Sequence, residues 1–129
     1  MVTSTEAFNV VCRMVSTDSV GSIGASICEL IHKQSKWSQE TFGKDGERGP
    51  IGPLNHIKKE VDEALLDPHS LEEYADIFLL SVESSRRAGF SFETLLLAAI
   101  AKQTVNMTRK WPKSSLPDSP TEHIQEGGE

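Results

Sequence analysis

Two pairs of acidic residues, placed symmetrically about a proline, constrain this chain more than any other feature of its sequence. The first pair is Glu60 and Glu63, and the second is Glu73 and Asp76. Pro68 lies midway between them. Residues three apart lie about 60° apart on one helical face. Two antiparallel helices joined by a turn at Pro68 would therefore bring all four carboxylates to matching heights.

Hydrophobic residues recur at helical spacing through most of the chain, which predicts an all-α fold. We expect four helices, over about 19–42, 53–66, 70–87 and 91–110. The loop 43–53 has four glycines and two prolines, so it cannot continue a helix. Ser70 followed by Glu73 is typical of a capping box at the start of the third helix. No segment alternates with the period of a strand, and we predict an antiparallel helical bundle.

The length of 129 residues, with 37% hydrophobic and 25% charged residues, suits a single domain, predicted over 1–112. Residues 1–18 fit either a short helix or an arm. Residues 113–129 are rich in Pro, Ser, Gly and Glu, which predicts a disordered tail. Cys12 and Cys28 are too few for a disulfide framework, so we expect buried, inert thiols in a reducing cytoplasm.

The charge distribution excludes some partners and points to others. A net charge of −6 disfavours nucleic-acid binding, and no apolar run approaches the length needed to span a membrane. Residues 60–76 hold seven acids and no base, so the acidity is local. Such a run is either a solvated helix face or a site for cations.

The surroundings of Asp76 favour a cation site. From Tyr74 to Val82 the third helix is apolar nearly all round, which predicts an interior helix whose acid must be paired or metal-bound. Two carboxylates about 5 Å apart repel by about 3 kcal/mol at an intermediate dielectric. Oxygen ligands without His or Cys at ligand spacing suit Mg²⁺ or Mn²⁺.

Other interpretations of these acidic residues stay open. Glu73 serves equally well as the closing residue of the capping box with Ser70. Glu29 and His32 form one Glu-x-x-His pair, whereas a ferritin-like di-iron site needs two such pairs.

Basic and aromatic residues complete a candidate nucleotide site. Lys102, Asn106 and Arg109 form one polar stripe on the fourth helix, which is either a solvated face or a clamp for phosphate and sugar oxygens. Aromatic side chains can stack on a nucleobase. Further candidates are Arg48, His56 and Lys59 for phosphate and Trp37, ahead of Phe42 and Trp111, for the base.

Several motifs in order resemble a known family. They are WSQETFG (37–43), RGPIGPLNHIKKEVDEAL (48–65), LEEYADIFLL (71–80) and AKQTVNMTRKWP (101–112). Over about 35–112 the chain resembles the dATP/dGTP diphosphohydrolases, including the MazZ-type phage enzymes, within the all-α, MazG-like NTP pyrophosphohydrolase superfamily. Nine residues separate Glu63 from Glu73, fewer than in many superfamily members, so the hairpin must be tight.

The resemblance implies hydrolysis of dGTP or dATP to the monophosphate and pyrophosphate. It also implies a homodimer or homotetramer and, in a phage, a role in adjusting the nucleotide pool in the host cytoplasm. Two or three Mg²⁺ or Mn²⁺ ions would be held by Glu60, Glu63, Glu73 and Asp76. Lys102 and Asn106 would contact phosphate or sugar.

General chemistry then suggests a mechanism. A metal-activated water attacks the α-phosphorus, Glu60 or Glu63 takes its proton, and Lys102 or Arg109 stabilises the leaving pyrophosphate. The sequence does not rank dGTP against dATP. The alternative from another class is a non-catalytic helical oligomer whose acidic face binds a basic partner.

Overall fold

The computed structural model describes Glu6 and residues 20–113 and 116–125, and from Val20 onward the described residues form four α-helices. They are α1 (Val20–Phe42), α2 (Ile51–Leu66), α3 (Leu71–Arg87) and α4 (Phe92–Thr108). Among the described residues, β-type pairing is limited to an isolated bridge between Lys110 and Ile124. The all-α prediction is therefore confirmed.

The helix boundaries follow local chemistry, with two departures from prediction. Helix α2 begins at Ile51 rather than Pro53, because a proline in the first turn has no intrahelical N–H bond to lose. Ser70 is the N-cap of α3, but its side chain makes no capping hydrogen bond, so the predicted capping box is wrong. Gly89, with φ of 96°, ends the helix, and its N–H donates to the Arg86 carbonyl at 2.9 Å.

The chain divides into two compact units, Met1–Phe92 and Glu93–Glu129. In the first unit α2 and α3 pack along each other as the predicted hairpin, and α1 contacts α3. The Ser70 N–H donates to the Asp67 carbonyl at 3.0 Å, which closes the tight turn between them. A single domain over 1–112 remains a prediction.

In the second unit the chain after α4 folds back on itself. Trp111 Nε1 donates to the Asn106 carbonyl at 2.8 Å, so the indole satisfies an acceptor near the end of the helix. The Trp111 ring meets His123 edge-on, with 5.9 Å between ring centroids. The Ile124 N–H donates to the Lys110 carbonyl at 2.8 Å. Disorder of 113–129 remains a prediction, and most of residues 1–18, including Cys12, lie outside the described residues.

Helix α3 is less buried than its sequence predicts. Val82 is the one buried hydrophobic residue among those described, whereas Tyr74 is 52% and Phe78 48% exposed. The interior-helix prediction therefore fails for the first half of α3, because α1 and α2 leave that face of the first unit uncovered. Burial is confined to Val82, Glu83 and Ser84, near its end.

Two further predictions concern exposure. Cys28 is an exposed free thiol, so the prediction of a buried one is wrong for this residue. The side-chain hydrogen bonds between α1 and α3 involve Gln34 and Ser38. Cys28 lies more than one turn before these residues and so precedes the part of α1 that is bonded to α3. None of the described helices is both long and apolar enough to cross a membrane.

Candidate functional site

Three of the four predicted carboxylates meet where α2 and α3 face each other. Glu60 comes from α2, and Glu73 and Asp76 come from α3. One oxygen from each of the three lies within 4.8 Å of the others. The arrangement arises because residues three apart share a helical face and the short turn sets the two helices in register. We refer to Glu60, Glu73 and Asp76 as the acidic triad.

The fourth predicted carboxylate, Glu63, lies outside the acidic triad. Its Oε1 is 3.7 Å from Lys59 Nζ, one turn earlier on α2, and its side chain is 44% exposed. Glu63 is nevertheless close enough for its charge to raise the pKa of both Glu73 and Asp76. Its role as a metal ligand remains a prediction.

Burial and like charge both act on the acidic triad. Loss of hydration raises the pKa of Glu73, and the charges of Glu63, Glu60 and Asp76 raise it further. Loss of hydration also raises the pKa of Asp76, as does the charge of Glu72, while His56 opposes the shift. His56 Nε2 lies 2.7 Å from Glu60 Oε1. The protein's own cations therefore leave the triad incompletely neutralised.

One oxygen of the triad indicates what would neutralise it. Glu73 Oε2 is buried and has no hydrogen-bond partner, which is costly for a carboxylate oxygen. A hard divalent cation accepts several such oxygens at once and cancels their repulsion. The residues present therefore fit a divalent cation, and they fit Mg²⁺ or Mn²⁺ by the chemistry of their donors.

This electrostatic strain predicts how stability depends on pH. The pKa of Glu73 in the folded protein lies above its ordinary value of 4.5. Between the two pKa values the folded state binds more protons than the unfolded state, so the free energy of unfolding falls as pH rises. As pH rises from about 4.5, we expect the melting temperature of metal-free protein to drop more than that of the Glu73→Gln variant. Excess MnCl₂ should remove the difference. A pH dependence that Mn²⁺ leaves unchanged would contradict the assignment.

A cavity of about 340 Å³ adjoins the acidic triad and reaches from it to α1. Its apolar walls are Trp37 and Phe42 from α1 and Leu79 and Leu80 from α3. Trp37 and Phe42 meet edge-on, with 5.4 Å between ring centroids. Ligand sites are typically apolar cavities of about 300–1,000 Å³ with a few polar groups, and this one suits an aromatic base. Its polar lining residues are Gln34, His56, Glu60, Asp76 and Glu83.

A second cavity of about 240 Å³ lies nearby and shares Phe42, His56, Leu80 and Glu83 with the first. Arg48 and Arg87 line it, and Arg48 also donates to the Phe42 carbonyl at 2.5 Å. Two of the predicted phosphate contacts, His56 and Arg48, are thus brought together, whereas Lys59 pairs with Glu63. Arg87 is not among the predicted site residues, although its four-residue spacing from Glu83 is a signal for an ion pair.

The remaining predicted site residues lie in the second unit or on the far part of α1. Lys102 is exposed on α4, Asn106 is half-buried one turn later, and Arg109 follows the end of the helix. Their roles in binding phosphate remain predictions. The di-iron alternative loses support, since Glu29 pairs with Lys33 at 2.7 Å and both side chains are exposed.

Comparison with known proteins agrees with the geometry. The family model of dATP/dGTP pyrophosphohydrolase matches residues 30–129. The chain is also 40% identical over 94 residues to the Eaa protein of Salmonella phage P22. That alignment covers 73% of this chain but 28% of the phage protein, so the chain spans less than a third of that relative's length. No solved structure matches. The chain belongs to the dATP/dGTP pyrophosphohydrolase family.

Proposed function

We propose that this protein hydrolyses a purine deoxynucleoside triphosphate, dGTP or dATP, to the monophosphate and pyrophosphate. The observation that carries the proposal is that Glu60 and Asp76 of the acidic triad line the same cavity as Trp37 and Phe42. A nucleotide needs both parts, because its phosphates require cations and its base requires an apolar, aromatic surface. The family assignment supports the same reaction class.

The acidic triad would hold the divalent cation, Mg²⁺ or Mn²⁺, with Glu63 as the fourth predicted ligand in a site of two or three ions. Bound there, the cation would neutralise phosphate charge and lower the pKa of a water molecule. Glu60 and Glu63 are the two candidates to take the proton from the attacking water. Glu63 lies outside the triad, which leaves its carboxylate available for that role.

Basic residues would stabilise the charge of the leaving pyrophosphate. In the first unit, Arg48 and His56 line the second cavity next to the triad, and Lys59 is one turn from Glu63. In the second unit, Lys102, Asn106 and Arg109 remain candidates by their spacing. Trp37 would stack on the base, since the residue is 56% exposed and lines the larger cavity.

We also propose that the enzyme works as a homodimer or homotetramer. In the described part of the first unit, large apolar side chains such as Tyr74 and Phe78 are about half exposed, and exposed apolar patches often mark a surface that another protein covers. A second copy that covers α3 would complete the interior environment its sequence predicts. Sedimentation equilibrium should give the mass of at least a dimer. In a phage-infected cell the enzyme would act in the host cytoplasm on the nucleotide pool.

The reaction is tested by incubating the purified protein with each dNTP and Mg²⁺ or Mn²⁺. We expect pyrophosphate and the monophosphate as the first products with dGTP or dATP, and no release of orthophosphate. Orthophosphate as the first product would indicate a triphosphatase instead. If no dNTP is turned over with either metal, the alternative of a non-catalytic helical oligomer with an acidic binding face is favoured.

A further inference from the structure

Two polar side chains that line the larger cavity are held next to each other by a single arginine. Gln34 from α1 and Glu83 from α3 both line the cavity. Arg86 donates from one terminal nitrogen to Gln34 Oε1 at 2.5 Å, and its other terminal nitrogen lies 3.8 Å from Glu83 Oε1. Gln34 and Glu83 therefore lie side by side in the wall of the cavity.

The contact with Arg86 decides which way the Gln34 amide faces. A guanidinium group has donors and no acceptor, so the amide oxygen must face it. Arg86 is itself fixed, because its Nε donates to Asp45 Oδ2 at 2.8 Å and its side chain is 16% exposed. The part of Gln34 left to bind a ligand is the amide nitrogen, which carries two hydrogens and can only donate.

Glu83 lies next to Gln34 and offers a hydrogen-bond acceptor instead of a donor. Ser38, Arg86 and Arg87 all reach the same carboxylate oxygen, Oε1. The other oxygen, Oε2, is left to a ligand in the cavity, and a carboxylate oxygen can only accept. The cavity thus presents the Gln34 donor next to the Glu83 acceptor. The contact with Arg86 fixes which of the two residues donates.

We propose that this pair selects guanine over adenine, with Gln34 donating to O6 and Glu83 accepting from N1–H. The proposal rests on the proposed function, since it places the base in the larger cavity. Guanine carries an acceptor at position 6 next to a donor at position 1, which matches the pair. Adenine carries an amine at position 6 next to an acceptor at position 1. The Gln34 donor would therefore face another donor, and the Glu83 acceptor would face another acceptor.

Buried polar groups make the selection effective. Glu83 is 6% exposed, so an adenine in the cavity would leave its carboxylate facing another acceptor without water to intervene. Sites that hydrogen-bond one substrate group reject an analogue that lacks it far more strongly than apolar pockets do. The enzyme would therefore prefer dGTP to dATP.

The first test compares kcat/KM for dGTP, dITP and dATP with Mn²⁺. Hypoxanthine keeps O6 and N1–H but lacks the 2-amino group, so dITP should be used about as well as dGTP. We expect dATP to be used at least about tenfold less well, the effect of one good hydrogen bond. If dITP behaves like dATP, or if dATP is preferred, the assignment of these two contacts is wrong.

The second test uses Gln34→Met, with Gln39→Met as its matched control. Gln39 is also on α1, but its amide donates to Ser35 Oγ at 3.0 Å and it lines a different cavity. We expect Gln34→Met to lower the dGTP-to-dATP ratio of kcat/KM by about tenfold and Gln39→Met to leave it unchanged. Gln34→Glu, which replaces the donor with an acceptor, should shift the ratio further towards dATP.

The outcomes separate this proposal from the proposed function. If pyrophosphate is released but the ratio is the same in Gln34→Met, Gln34→Glu and the parent protein, the selection of guanine fails and the reaction stands. If none of the three nucleotides is hydrolysed by the parent protein, both proposals fall together.

Discussion

Replacing Glu73 with glutamine is expected to lower kcat for dGTP by about a thousandfold, because the cation that we propose at the acidic triad would contribute several kcal/mol to the reaction. Glu73 contributes one of the three oxygens that lie within 4.8 Å of one another, and its Oε2 is the buried atom without a partner. An amide in its place removes one negative charge and offers the cation a weaker ligand. The rate is measured as pyrophosphate release with saturating Mn²⁺.

The same variant should melt at a higher temperature than the parent protein when no metal is added. Glutamine relieves the repulsion with Glu60 and Asp76, and its amide can donate to their carboxylates. Asp62→Asn is the matched control, since Asp62 lies on α2 beside Glu63 but is exposed and outside the triad. Full activity in Glu73→Gln, or equal losses in both variants, would show that the triad does not hold the catalytic ion.

The hairpin and most of the acidic cluster could be predicted because both depend on spacing along the chain. A 3.6-residue period and a turn at Pro68 suffice to place Glu60, Glu73 and Asp76 on facing surfaces. Spacing fixes a helical face but not a rotamer, and here Glu63 pairs with Lys59, one turn away on its own helix. The Glu63 side chain is drawn either to Lys59 on its own helix or to the other carboxylates across the hairpin, and the symmetric spacing does not decide between them.

The polar network beneath the cavity could not be predicted, because it joins residues far apart in sequence. The Ser38 hydroxyl donates to Glu83, 45 residues later, and Asp45 pairs with Arg86. Glu83 and Arg87 are ordinary surface residues by type, and only the packing of α1 against α3 buries them. The opposite error arose at Tyr74 and Phe78, where an apolar sequence predicts burial that the first unit does not provide.

Arg87→Met is expected to lower the free energy of unfolding by about 3 kcal/mol, the usual cost of leaving a buried charge without its partner. Arg87 is 5% and Glu83 8% exposed by side chain, and their closest nitrogen and oxygen are 3.0 Å apart. Methionine fills much of the volume but leaves the carboxylate with Arg86 at 3.8 Å as its remaining cation. The melting temperature should fall by about 10 °C for a protein of this size.

An exposed ion pair and a double variant separate lost charge pairing from lost packing. Lys33→Met breaks a pair with Glu29 in which both side chains are mostly exposed, and it should change stability by less than about 1 kcal/mol. The double variant Arg87→Met with Glu83→Leu has no buried carboxylate without a partner at this position. Apolar pairs often replace buried ion pairs without loss of stability. The double variant should therefore be more stable than Arg87→Met alone, even though it carries one more change. If the two substitutions instead add, packing of the Arg87 side chain rather than its charge stabilises the junction of α1 and α3.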